Sequence, residues 1–86
     1  MVDGVAAQTR QAISNLAALL EAEGASLSDV VKTTVFLADI GDYGEMNAQY
    51  VESFGSHRPA RSAIGVAGLP LGGLVEIEAV ARVPRG

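Results

Sequence analysis

Arg61 is the most informative charge in this 86-residue sequence, because it opens a run of small and apolar residues from Ala60 to Leu69. A guanidinium presents a planar fork of donors that can grip a carboxylate through two parallel hydrogen bonds. The simplest partner for it is Glu76 or Glu78, and an arginine so paired can still bind an acidic ligand. Glu76 and Glu78 stand two apart inside an otherwise apolar element, so on a strand they point the same way. One of them could orient or deprotonate a water. The plainer reading is a pair of edge-strand charges that blocks aggregation. Two carboxylates also occur in glycosidases and hard-metal sites, but two acids alone specify neither.

Four further positions or sets of residues have a chemical reading and a structural one. His57, the sole histidine, has no second ligand nearby and sits beside Pro59 in a break. It reads as a solvent-exposed loop residue before it reads as a base. Asn47 lies on a helical stripe between Met46 and Tyr50, where an amide must find hydrogen-bond partners, so it reads as a structural pin from helix to strand. Tyr43, Tyr50 and Phe54 recur at helical spacing and read as core rather than as a platform for stacked bases. Gly72-Gly73 lacks the lysine and following helix of a phosphate loop and reads as a turn. No spacing of metal ligands is present, and with no Cys there is neither a disulfide nor a thiolate.

These side chains need elements to hold them. From Asp3 to Glu23 the residues Ala6, Ile13, Leu16, Ala17 and Leu20 recur at helical spacing, with Asp3 as the cap and Gly24 as the stop. Val30 to Leu37 is β-branched and aromatic and predicts a strand, with Val31, Thr33, Val35 and Leu37 on one face. Asp42 and Glu45 have capping-box spacing and open a second helix that Gly55 ends. Ala60–Leu69 and Leu74–Val83 follow as strands. The order is α-β-α-β-β in a single domain spanning residues 1–86, an α+β arrangement with helices on one face of a small sheet. In the last strand Val75, Ile77, Ala79, Ala81 and Val83 should lie under the helices. Small residues on the opposite face of the preceding strand make the helix-free face a candidate subunit interface.

Composition narrows the classes. The chain is 49% hydrophobic and 19% charged, which makes it globular. At this length only roughly 60% of the unfolded chain's surface can be buried, so partner subunits are the expected source of added stability. A formal charge of −4 and scattered cations disfavour a surface that tracks nucleic-acid phosphates. No apolar run reaches the ~20 residues of a membrane span, and no targeting segment is visible, so a cytoplasmic location is expected.

The segment from Gln8 to Ala81 resembles the RidA family of reactive-intermediate deaminases, also called YjgF or L-PSP proteins. The resemblance rests on Asn15-Leu16 through Gly24-Ala25, Val30 to Leu37, Met46-Asn47 with Tyr50 and Phe54-Gly55, the block Arg58-Pro59-Ala60-Arg61-Ser62, and Leu69-Pro70 leading to Val75-Glu76-Ile77-Glu78-Ala79. The last two blocks together are its most specific part. The resemblance implies a chorismate-mutase-like two-layer sandwich with a mixed sheet, homotrimers with ligand clefts between subunits, and no cofactor or metal. It implies hydrolysis of enamines and imines such as 2-iminopropanoate and 2-iminobutanoate to 2-oxo acids and ammonia. Arg61 falls where the family binds the substrate carboxylate, Ser62 where it also contacts substrate, and Glu76 where it positions water.

Members of that family carry several dozen residues before the first helix, with a Gly-Pro-Tyr-Ser block and a Ser-Gly-Gln-Ile-Pro block that form strands and pocket walls. Neither block is present, which predicts an open sheet edge beside the Glu76 strand. A subunit that only binds small carboxylates or acts as a scaffold is therefore the rival to a deaminase. The ribonuclease activity also ascribed to such proteins finds no basic stripe here to serve it.

Overall fold

The computed structural model describes residues 4–84. Helix α1 spans Val5–Ala22, strand β1 Val30–Leu37, helix α2 Tyr43–Phe54, strand β2 Ala60–Gly65 and strand β3 Val75–Ala81, with 3-10 turns at Leu27–Asp29, Ile40–Asp42 and Pro70–Gly72. The strand order is β2-β1-β3, with β1 parallel to β2 and antiparallel to β3. The helices pack on one face of this mixed sheet, giving the expected α+β sandwich.

The core lies between the layers. Val30, Val35 and Leu37 of β1 are closed over by Ile13 and Leu20 of α1 and by Met46, Tyr50 and Phe54 of α2. Val75, Ile77, Ala79 and Ala81 of β3 pack against the same cluster, as the alternation predicts, whereas Val83 lies beyond the end of the strand and is 47% exposed rather than under the helices. Thr9 sits in the buried stripe of α1 and returns its hydroxyl to Val5 O at 2.7 Å. Among the described residues no buried side-chain nitrogen or oxygen lacks a partner. Helix α1 closes as expected at Gly24, whose φ of 76° lets Ala25 N reach Leu20 O and Gly24 N reach Glu21 O. The predicted Asp3 cap lies outside the described residues.

Four expectations are corrected. Val31 does not share a face with Thr33, Val35 and Leu37: a register shift between Val30 and Lys32 inserts an extra residue, so Val30 turns inward and Val31 is 53% exposed. Strand β2 stops at Gly65 rather than Leu69, because β1 ends at Leu37 and only Val66 N still finds a partner, Leu37 O. Strand β3 is likewise shorter than Leu74–Val83. Asp42 makes no side-chain cap at α2; instead Asp39 accepts from Gly41 N at 2.9 Å and shapes the turn before that helix. The turn at Pro70–Gly72 joins strands that are not neighbours, since β1 lies between β2 and β3.

Candidate active site

Arg61 pairs with Thr33 in the β1–β2 ladder, and so projects from the face that carries the helices. Its Nη1 donates to Asn47 Oδ1 at 2.7 Å and its Nη2 to Tyr43 Oη at 2.5 Å. The guanidinium carbon lies 4.6 Å from the Tyr50 ring centroid and 5.4 Å from that of Tyr43. Tyr50 in turn is fixed by a 2.6 Å hydrogen bond between its hydroxyl and that of buried Thr33. Successive turns of α2 thus hold one cation in place by two oxygens and two aromatic rings. Asn47 occupies the helical position read from the sequence, and it ties α2 to β2.

The guanidinium opens onto a cavity of about 370 Å³ lined by Asn47, Tyr50, Val51, Arg58, Pro59 and Arg61. No acidic side chain is among these residues, so an anion entering there meets the cations of Arg58 and Arg61 and the polar groups of Asn47 and Tyr50 with no opposing carboxylate. Five N–H donors sit on an arginine, and the two protein contacts leave others for a ligand. The arrangement can hold a small carboxylate.

Glu76 and Glu78 lie elsewhere. Both are exposed on the helix-free face of β3, where they pair with Phe36 and Thr34 of β1. Arg61 and Glu76 are separated by two strand spacings and about three residues along the sheet, roughly 14 Å between Cα atoms, on opposite faces. The ion pair of Arg61 with either glutamate is therefore not formed within the chain. Ser62, next to Arg61 on β2, points to the same face as Glu76. One chain brings Arg61, Asn47, Tyr43 and Tyr50 together and leaves Glu76 and Ser62 on the other side.

Two aromatic or histidine readings change. Tyr43 is 38% exposed and covers Arg61 rather than filling the core. His57 is half-buried, with Nε2 2.7 Å from Val30 O and its ring beside Phe54, so it clamps the α2–β2 loop onto the bulged start of β1. Arg58 was missed by sequence reasoning. It lines the Arg61 cavity and hydrogen-bonds Gly55 O and His57 O, and its position two residues before the β2 arginine's neighbour Ala60 was the available signal. Among the described residues no group of three or more His, Asp or Glu gathers to hold a metal ion, and no helix is long and apolar enough to cross a membrane.

A family model described as endoribonuclease L-PSP matches residues 1–83. The chain belongs to this family, known also as RidA or YjgF. Its L-PSP relatives include a RutC family protein of Pyrococcus horikoshii, 53% identical over 86% of this chain and 59% of the relative. They also include the human 2-iminobutanoate/2-iminopropanoate deaminase, 50% identical over 91% of this chain and 57% of the relative. The crystal structure of the Escherichia coli YjgF gene product superposes with a TM-score of 0.92 at 45% identity, covering 99% of this chain and 68% of that one. A Mycobacterium tuberculosis member of the YjgF/YER057c/UK114 family gives 0.92 at 40% identity, covering 96% and 71%. The sheet and helices described above are thus the L-PSP fold, and the chain spans about three fifths of the length of these curated relatives.

Proposed function

We propose that this chain is a subunit of a cytosolic, oligomeric hydrolase that converts 2-imino acids such as 2-iminopropanoate and 2-iminobutanoate to 2-oxo acids and ammonia. The observation that carries the reading is the Arg61 guanidinium, fixed by Asn47 and Tyr43 at the mouth of an acid-free cavity. It is supported by relatives at about half identity whose names state this activity. In this reading Arg61 binds the substrate carboxylate and so sets the position of the neighbouring C=N carbon. Water adds to that carbon while a proton passes to nitrogen; the carbinolamine then collapses to the ketone as ammonia leaves, with one water consumed. An enamine joins the route after protonation at its β-carbon.

Glu76 is the group that would hold the attacking water. Because it lies across the sheet from Arg61, it serves the Arg61 of another copy, in a homotrimer whose sheets meet on the helix-free face. Ser62 lies on that face with it and contacts the same substrate. Freshly generated 2-iminopropanoate, assayed for ammonia and pyruvate with the oligomer monitored by light scattering, tests the reading. Turnover that disappears in Arg61→Ala with the oligomer intact is expected; undiminished turnover in that variant removes Arg61 from the mechanism.

The distance between Arg61 and Glu76 favours one second reading, a subunit that binds small carboxylates without turning them over. It predicts no ammonia release from a folded oligomer, together with Arg61-dependent chemical-shift changes on adding 2-oxobutanoate.

A further inference from the structure

The Arg61 cavity holds a second cation. Helix α2 ends at Gly55, whose φ of 68° breaks the helix, and the loop that follows carries Arg58 to the cavity wall, one residue before Pro59 and three before Arg61. Arg58 Nη1 donates to Gly55 O and His57 O, both backbone carbonyls. Arg61 rests on an amide oxygen of Asn47 and the hydroxyl of Tyr43. Among the described residues neither guanidinium is paired with a carboxylate. Like charges three residues apart, at most roughly 10 Å between Cα atoms, repel one another unless an anion joins them. The chain has acids to spare, 10 against six Lys and Arg, yet Glu52, which follows the lining residue Val51, is exposed and does not line the cavity. The cavity also stands beside β2, with β1 between it and β3.

We propose that Arg58 selects substrates with a second carboxylate, so that the preferred substrates are 2-imino dicarboxylates such as 2-iminosuccinate and 2-iminoglutarate. The inference deepens the proposed deaminase reading and rests on it. Arg61 takes the carboxylate next to the C=N carbon, and Arg58 takes the one at the far end. Nη1 of Arg58 is occupied, which leaves Nε and Nη2 to donate to an entering oxygen. Val51, Pro59 and the Tyr50 ring supply apolar lining for the methylene groups that join the two acids. A monocarboxylate with a short alkyl tail leaves Arg58 facing water, whereas a dianion neutralises both cations. The chemistry is unchanged: one water adds to the C=N carbon, ammonia leaves, and the product is a 2-oxo dicarboxylate. An inorganic phosphate held by both arginines is the competing occupant, but the apolar lining offers its oxygens no partner.

The stable product acids serve as probes, titrated into the folded chain and followed by NMR. They are 2-oxoglutarate with two carboxylates, 2-oxobutanoate with one, and the ω-methyl ester of 2-oxoglutarate, which keeps the length without the second charge. 2-Oxoglutarate is expected to bind about tenfold or more tighter than either of the others. Because Arg58 also clamps its loop, the quantity read in its variants is the ratio of the 2-oxoglutarate and ester affinities, which a loosened loop alone would not move. In Arg58→Gln the ratio is expected to fall toward unity, and in Arg58→Lys, which restores the charge without the fork, to recover in part. Equal binding of 2-oxoglutarate and its ester, a ratio that Arg58→Gln leaves unchanged, or inorganic phosphate binding as tightly as 2-oxoglutarate overturns the proposal. The underlying reading is separated by Arg61→Ala. If 2-oxobutanoate binding is lost in that variant while the parent chain shows no preference for the diacid, Arg61 keeps its role and Arg58 alone loses it. Binding of 2-oxobutanoate that survives Arg61→Ala removes the carboxylate anchor and this inference with it, and absence of binding by every probe overturns both.

Discussion

Arg61 shows how a surface cation is made specific. Asn47 Oδ1 and Tyr43 Oη restrict its rotamers, and the Tyr50 ring supports its flat face, so little side-chain entropy remains to be lost when a carboxylate arrives. Arg61→Lys keeps the charge but loses the fork, and 2-oxobutanoate binding, followed by NMR titration, is expected to weaken by about tenfold or more. Behind it, Tyr50→Phe leaves the buried Thr33 hydroxyl without its partner and is expected to cost about 1–3 kcal/mol in urea unfolding. The double variant Thr33→Val with Tyr50→Phe is expected to cost less than the two single changes added together, because no donor is then stranded. The pinning geometry of Asn47 was legible in the sequence, since an amide on an apolar helical stripe has to reach a neighbour. The failure of Arg61 to meet Glu76 or Glu78 was not legible, because strand order decides it and alternation along a strand says nothing about which strand lies beside which. His57 was misread for a related reason: its acceptor, Val30 O, is a carbonyl 27 residues away that only the bulge presents.

At the scale of elements, the helix and strand types followed from periodicity and β-branching, and the departures lie where chain geometry overrides side-chain pattern. Val30, Val31 and Lys32 carry no glycine or proline to announce a bulge, yet one residue of shift there decides which valine enters the core. The turn before β3 is the other such place. Leu71 has φ 59° and is 92% exposed, so a γ-branched side chain holds a left-handed conformation with no packing in return. For such a residue that conformation costs about 1–2 kcal/mol, whereas asparagine adopts it readily. Leu71→Asn is therefore expected to raise stability by about 1 kcal/mol in thermal or urea unfolding. A loss of stability would show that Leu71 is covered when the protein is assembled. Gly72, also at positive φ, should not tolerate alanine at the same turn.

The whole molecule exposes 5183 Å², against about 4,800 Å² for a compact monomer of its mass. Several large apolar side chains lie open: Val31, Ile64, Val80 and Leu19 are each about half exposed or more, on the sheet and on α1. A chain this small has little stability to spare, so covering those side chains in an assembly should be coupled to folding itself. The coupling gives a measurement, since anything that binds only the folded state makes the unfolding midpoint depend on concentration. Raising the protein concentration tenfold is expected to shift the thermal midpoint upward by several degrees. Ile64→Glu puts a charge on the helix-free face of β2, away from the Arg61 cavity. It is expected to abolish assembly through that face while 2-oxobutanoate still perturbs Arg61, because the carboxylate grip is built within one chain. In the proposed mechanism Glu76 serves the Arg61 of a neighbouring copy, so turnover is expected to fall with assembly. A variant that remains monomeric and fully active would place the whole reaction inside one chain and remove the need for a neighbour's glutamate.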